Sequence, residues 1–209
     1  GPQRWSAGLI LAGMASVGKH FPGHGGVEAD SHCELPTDDR DWYTLAAEDL
    51  VPFERLIAQG LPAVMPAHVV YPRVAPEPAG FSPFWLGDVL RRHLGFQGVI
   101  FSDDLNMAAA QAGGGYAERA RAALAAGCDM ALICNNRPAA GEIVDALRGY
   151  SDPAAQLRLL RMHGRGHPRP GRLHEDPRWR DAVHQVALLE QMESLDLPLG
   201  DPTDPGARV

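Results

Sequence analysis

Asp103 and Asp104 stand directly behind the apolar run Val99-Ile100-Phe101. A carboxylate in that position can attack as a nucleophile, ligate a metal, or cap a helix beginning near Leu105. With two adjacent aspartates, one can cap while the other faces a ligand. Upstream, Asp30-Ser31-His32 follows a stretch containing Gly23, Gly25 and Gly26. An aspartate bonded to one ring nitrogen fixes the tautomer and raises the basicity of the other, which suits a proton shuttle near neutral pH. The alternative for the same triplet is an Asx-turn beside an exposed imidazole.

Two further chemistries fit less well. His20, His24 and His32 with Asp30 carry metal-binding side chains. However, Phe21-Pro22-Gly23 forbids the regular helix that would place His20 and His24 on one face. No metal is therefore expected. The glycine cluster lacks both the Lys-Ser/Thr ending and the spacing of phosphate-binding loops, so a tight turn accounts for it better.

These residues need elements to position them. Short apolar runs at Met14–Val17, Ala63–Met65, Val99–Phe101 and Met130–Ile133 alternate with amphipathic segments. The helices are marked by Phe53, Leu56 and Ile57, then Trp85 to Leu94, then Ala117 to Leu124, then Ile143 to Leu147. Gly60, Gly95, Gly127 and Gly149 stop them. This alternation predicts an α/β fold with a parallel sheet covered by helices. Lys19, His20, His24, Asp30 and His32 follow the first run and His68 the second; Asp103 and Asp104 follow the third, and Asn135, Asn136 and Arg137 the fourth. Carboxyl ends of parallel strands are where such folds carry their sites. After about Ser151 the strands cease. Helices are expected over Pro153–His163 and Asp176–Ser194, with a disordered tail over 196–209.

The chain has 209 residues, 45% hydrophobic and 22% charged, with a formal net charge of −7. That balance fits a globular domain and disfavours a nucleic-acid partner. The Arg158–Arg172 stretch, rich in Arg, His and Pro, reads as a solvated loop. Cys33, Cys128 and Cys134 cannot all pair within one chain, and none forms a C-x-x-C. Buried free thiols at Cys128 and Cys134 and a reducing, cytoplasmic setting are the expectation. No leader is expected before residue 20, and no apolar run approaches the roughly 20 residues that span a bilayer.

The run Lys19-His20-Phe21-Pro22-Gly23-His24-Gly25, then Asp30-Ser31-His32 and Leu35-Pro36, resembles the bacterial β-N-acetylglucosaminidases of glycoside hydrolase family 3. Phe101-Ser102-Asp103-Asp104-Leu105-Asn106-Met107 resembles their nucleophile segment, and Met65-Pro66-Ala67-His68-Val69 and Ala126-Gly127-Cys128-Asp129-Met130 support it. The resemblance covers about Leu11 to Ser194. It implies a (β/α)8 TIM barrel whose β5 to β8 are the four strands read here. Residues 1–150 would then be the C-terminal half of the barrel, and 151–195 helices packed on it. It further implies Asp103 as nucleophile and His32 as acid/base, oriented by Asp30. Lys19 and His20 would bond sugar hydroxyls, with His24 and His68 as further substrate-binding candidates.

The implied substrate is terminal β-linked N-acetylglucosamine on a cell-wall muropeptide, cleaved during cytoplasmic peptidoglycan recycling. No cofactor and no membrane partner are implied, and the full-length parent would be a monomer. A glycoside phosphorylase on the same scaffold, or a non-catalytic fragment, are the competing readings. Because a (β/α)8 barrel needs twice the units seen, the chain alone is expected to associate through open strand edges and to turn over little substrate.

Overall fold

The computed structural model describes residues 2–27, 35–166 and 170–193. These fall into two compact units, Gly1–Arg165 and Gly166–Val209. The first holds a parallel sheet in the order β1-β2-β3-β4, formed by Val17–Phe21, Ala63–Pro66, Val99–Asp104 and Met130–Leu132. Register runs Val17 against Ala63, Ala63 against Val99, and Phe101 against Met130. The alternating pattern of the sequence is thus realised as an α/β fold with a parallel sheet.

Helices α1 (Pro2–Leu11), α2 (Trp42–Ala47) and α3 (Leu50–Ala58) flank β1, and the helix Phe84–His93 joins β2 to β3. That last helix is wound wide, with bonded groups five residues apart; the Leu94 amide reaches the Val89 carbonyl at 2.9 Å. Trp85, Leu86, Val89 and Leu90 all face inward from it, and Trp85 meets Tyr71 and Phe21 edge-on. Burial of these large side chains supplies the main stabilisation of the unit, about 1.5–3 kcal/mol for each fully buried aliphatic residue. Helices α4 (Tyr116–Ala126), α5 (Arg137–Ala146) and α6 (Pro153–Leu159) complete it. Asn136 and Asp152 cap α5 and α6 through side-chain oxygens, each ahead of a proline in the first turn.

Two glycines are required by geometry. A Cβ on Gly98 would lie 2.2 Å from the Pro62 carbonyl oxygen, so only glycine lets β3 enter beside β2. Gly127 ends α4 at φ 121, a backbone state that side chains resist.

Several expectations are corrected. The first strand runs Val17–Phe21 rather than Met14–Val17, so Lys19 and His20 lie within it. The third extends to Asp104, placing both aspartates in the strand's last turn of pleat rather than after it. Helix α2 was not anticipated. Arg158 is not in a solvated loop; its Nη1 donates to Oδ1 of the buried Asp129 at 2.6 Å. Cys128 is buried, with its thiol pushed far up by burial, but Cys134 is exposed. The expected tail over 196–209 lies outside the described residues.

The second unit carries a short helical turn, Pro170–Glu175, and α7, Pro177–Glu193. Within it the rings of His174 and Trp179 meet edge-on with centroids 5.4 Å apart. No helix among the described residues is long and apolar enough to cross a membrane.

Candidate active site

β3 is fixed along its length before it presents its aspartates. Its start is held by the Ile100 amide, which donates to Oδ2 of Asp129 at 2.8 Å. Near its end Oγ of Ser102 accepts the Leu132 amide at 2.8 Å, tying β3 to β4. Asp103 follows, 8% exposed. One of its oxygens, Oδ1, accepts the Asp104 amide at 2.8 Å. The other, Oδ2, lies 3.6 Å from Nε2 of His20 at the end of β1.

His20 is half-buried, and its pKa is lowered. Burial is the largest cause; the negative Asp103 opposes it, while Lys19, His24 and His68 add to the lowering. The ring is therefore neutral at neutral pH, and the pair is a carboxylate beside an uncharged imidazole. The His24 ring sits 5.9 Å from that of His20, tilted by 60°. Lys19 is exposed and lines a cleft of about 390 Å³ with Val17, Phe53 and Leu56.

The segment leaving β1 is anchored at both described ends. The Tyr71 hydroxyl donates to the Gly23 carbonyl. On the return side the Val70 amide bonds the Pro36 carbonyl, and the Asp38 amide the Val70 carbonyl. Arg40 holds Asp38 with both forks of its guanidinium and also bonds Glu48 and Asp49. Asp30 and His32 lie between these anchors, outside the described residues.

His68 does not reach the open site. It is 1% exposed, stacked on Phe81 at 5.3 Å, with Nε2 3.2 Å from the Asp104 carbonyl oxygen. Buried in this way, His68 is placed apart from the exposed Lys19 and the half-buried His20 with which the sequence grouped it as a sugar contact. The expected helix cap is also different. Oδ1 of Asp104 accepts the amides of Asn106 at 2.9 Å and of Cys134 at 2.8 Å, closing a turn and bridging to the loop after β4.

A polar network at the ends of β3 and β4 was missed in the sequence. Asn136 Nδ2 donates to Asn106 Oδ1 and to the Tyr116 hydroxyl, both at 3.0 Å, and that hydroxyl bonds Asn106 at 3.1 Å. Asn106 and Asn136 both follow strands and were open to notice. Tyr116 reads only as the first residue of a helix. Among the described residues no three His, Cys, Asp or Glu side chains converge as a metal site would require.

A parallel α/β scaffold with a pinned carboxylate and imidazoles at its strand ends has the arrangement in which α/β folds carry their sites. The particular family follows from comparison. Residues 3–158 match the glycosyl hydrolase family 3 N terminal domain, and the chain belongs to that family. The match corrects the expectation of a C-terminal part, since the region matched is the family's N-terminal domain. A beta-hexosaminidase of Thioalkalivibrio sulfidiphilus is 51% identical over 196 residues, covering 92% of this chain and 55% of that protein. One from Thiobacillus denitrificans is 52% identical over 199 residues, covering 94% and 55%. The chain thus spans about half the length of the curated relatives it matches.

Among solved structures, NagZ from Neisseria gonorrhoeae in complex with N-trifluoroacetyl-D-glucosamine superposes with TM-score 0.79 at 45% identity. That likeness covers 88% of this chain and 53% of NagZ. A family 3 beta-N-acetylglucosaminidase from a Paenibacillus species gives TM-score 0.66 at 32% identity, covering 96% and 35%.

Proposed function

We propose that the whole protein to which this chain belongs is a retaining β-N-acetylhexosaminidase that removes terminal β-linked N-acetylglucosamine. The observation that carries this reading is Asp103: buried, with Oδ1 engaged by the next amide and Oδ2 turned toward His20. A carboxylate held that way is oriented for attack on an anomeric carbon. The relatives named beta-hexosaminidase and the NagZ complex with an N-acylglucosamine support the sugar class.

In the first step Oδ2 of Asp103 bonds to the anomeric carbon as the glycosidic bond breaks. The leaving oxygen keeps the electron pair and takes a proton from His32. In the second step water loses a proton to His32, bonds to the same carbon, and frees the Asp103 carboxylate. Retaining glycosidases usually pair two carboxylates; a neutral imidazole base avoids repulsion with Asp103 during the second step. Asp30 orients His32, and Lys19, His20 and His24 bond sugar hydroxyls. The four strands form part of a (β/α)8 barrel, and a muropeptide handled in the cytoplasm is the natural source of the sugar.

The test is made in the whole protein. His32→Ala should harm glycosides with poor leaving groups far more than activated aryl glycosides, because only the former need protonation. Equal losses for both would exclude the acid role. Release of sugar 1-phosphate in phosphate buffer would show a phosphorylase instead.

A further inference from the structure

We propose that His68 and Asp104 are positioning residues that together hold the Asp103 carboxylate in its working geometry. The inference rests on the reading of Asp103 as nucleophile. Asp104 is tied through its amide, its carbonyl and one carboxylate oxygen. Its carbonyl accepts from Nε2 of His68, two residues past the end of β2. Its Oδ1 accepts the Asn106 amide within its own turn and the Cys134 amide from the loop after β4. Its own amide donates to Oδ1 of Asp103 at 2.8 Å. Restraints from β2, β3 and β4 therefore meet at one residue, which passes them to the nucleophile through a single hydrogen bond.

The chemistry of His68 agrees. A carbonyl only accepts, so Nε2 must carry the hydrogen. Nδ1 then bears a lone pair; it is buried without a partner among the described residues and faces Gly80, whose Cβ position would lie 3.5 Å away. Burial, the largest cause, depresses the ring's pKa against the pull of Asp103 and Asp104. His68 is thus a neutral donor of fixed tautomer. A charged imidazolium so close to Asp103 would draw electron density from the attacking oxygen. A sugar contact is a poor account of the residue, since its one donor hydrogen is spent on the Asp104 carbonyl and its Nδ1 lone pair is buried beside Gly80.

Two pairs of variants in the whole protein separate these roles: His68→Phe with His68→Gln, and Asp104→Ala with Asp104→Asn. The probe is a 5-fluoro-N-acetylglucosaminyl fluoride, which leaves a long-lived ester on the nucleophile. His68→Phe and Asp104→Ala should slow esterification and kcat about 100-fold, as misplacement by about 1 Å does, with KM little changed. Asp104→Asn should recover most of the rate, because an amide oxygen can accept the same two amides. His68→Gln should recover part of it by donating to the Asp104 carbonyl. Raised KM with unchanged kcat would make His68 a sugar contact and overturn the proposal, as would Asp104→Asn as slow as Asp104→Ala. An ester at Asp103 that forms at the normal rate in all four variants defeats the positioning role alone. An ester found elsewhere in the unaltered enzyme defeats the reading of Asp103 and this inference with it.

Discussion

Nε2 of His20 stands 3.6 Å from Oδ2 of Asp103, bringing the end of β1 to the end of β3 across β2. That separation lies beyond a direct hydrogen bond yet is close enough for charge to act. Burial outweighs the attraction of Asp103 and lowers the pKa of His20, so the ring beside the carboxylate is neutral at neutral pH. His68, buried behind the same aspartate, shows the same direction for the same first cause.

The sign of the resulting pH dependence follows. Both imidazoles have pKa values below the ordinary 6.5. Between the folded and unfolded values the unfolded chain binds more protons, so stability rises with pH in that window. It is fully present above 6.5 and is lost as pH falls through the folded values. Urea midpoints should therefore drop on acidification from about pH 7.5 to about pH 5.5, and less steeply in a His20→Gln/His68→Gln double variant. An unchanged slope in the double variant would remove both histidines from the account.

Asp103→Ala in the whole protein should abolish turnover of N-acetylglucosaminides. Azide, small enough to enter the space left by the carboxylate, should restore cleavage of an activated aryl glycoside. A single displacement replaces two, so the glycosyl azide should carry inverted configuration. Proton NMR of the anomeric signal reads this directly. Azide product of retained configuration would move the nucleophile to another residue.

The short apolar runs around Ala63 and Val99 announced the sheet, because strands covered on both faces must be apolar, and the run at Met130 did so although β4 is only partly covered. Their ends were harder to place. β1 carries Lys19 and His20 because pairing with β2, not apolar character, decides how far a strand runs. β3 likewise continues through Ser102, Asp103 and Asp104. Helix α2, six residues long, is too short for periodicity to register, though Asp41 caps it as a helix start should be capped. Of the strand-end aspartates and histidines the sequence singled out, His20 and Asp103 do come together across the sheet. What could not be read was which of them are enclosed. His68 is buried by Phe81, and Arg158 is turned inward by Asp129, 29 residues away, through contacts that no local pattern encodes.

Arg40 anchors the return of the segment that follows β1. Burial alone would raise the Asp38 pKa, but hydrogen bonds and charge from Arg40 hold it below its ordinary 3.8. That contribution to stability is present above pH 3.8 and is lost as pH falls through the depressed value. Lysine cannot reproduce the forked contact with Asp38. Arg40→Lys should therefore cost about 1–3 kcal/mol in urea unfolding near pH 7, and that difference should shrink in acid. A loss that persists undiminished in acid would mean that packing, rather than the ion pair, sets the role of Arg40.

Asp129 joins three elements of the first unit: the helix Phe84–His93, β3 and α6. Its side chain, 2% exposed, accepts from Arg91 at 2.8 Å and from Arg158 at 2.6 Å. It also accepts the Ile100 amide at 2.8 Å, fixing the start of the strand that ends in Asp103. Arg91 is itself partly enclosed, and burial lowers its pKa. Removing the carboxylate leaves two guanidinium groups and a backbone amide without their acceptor. Asp129→Ala should then cost about 3–5 kcal/mol, as breaking other buried ion pairs does. Asp129→Asn keeps an acceptor for the Ile100 amide but loses the charge, so it should fall between the two. Equilibrium urea unfolding of the whole protein gives the comparison. If Asp129→Asn costs as much as Asp129→Ala, the charge on Asp129 matters and its bond to β3 does not. If both cost little, the two arginines find other acceptors, and β3 is held by Ser102 and its neighbours alone.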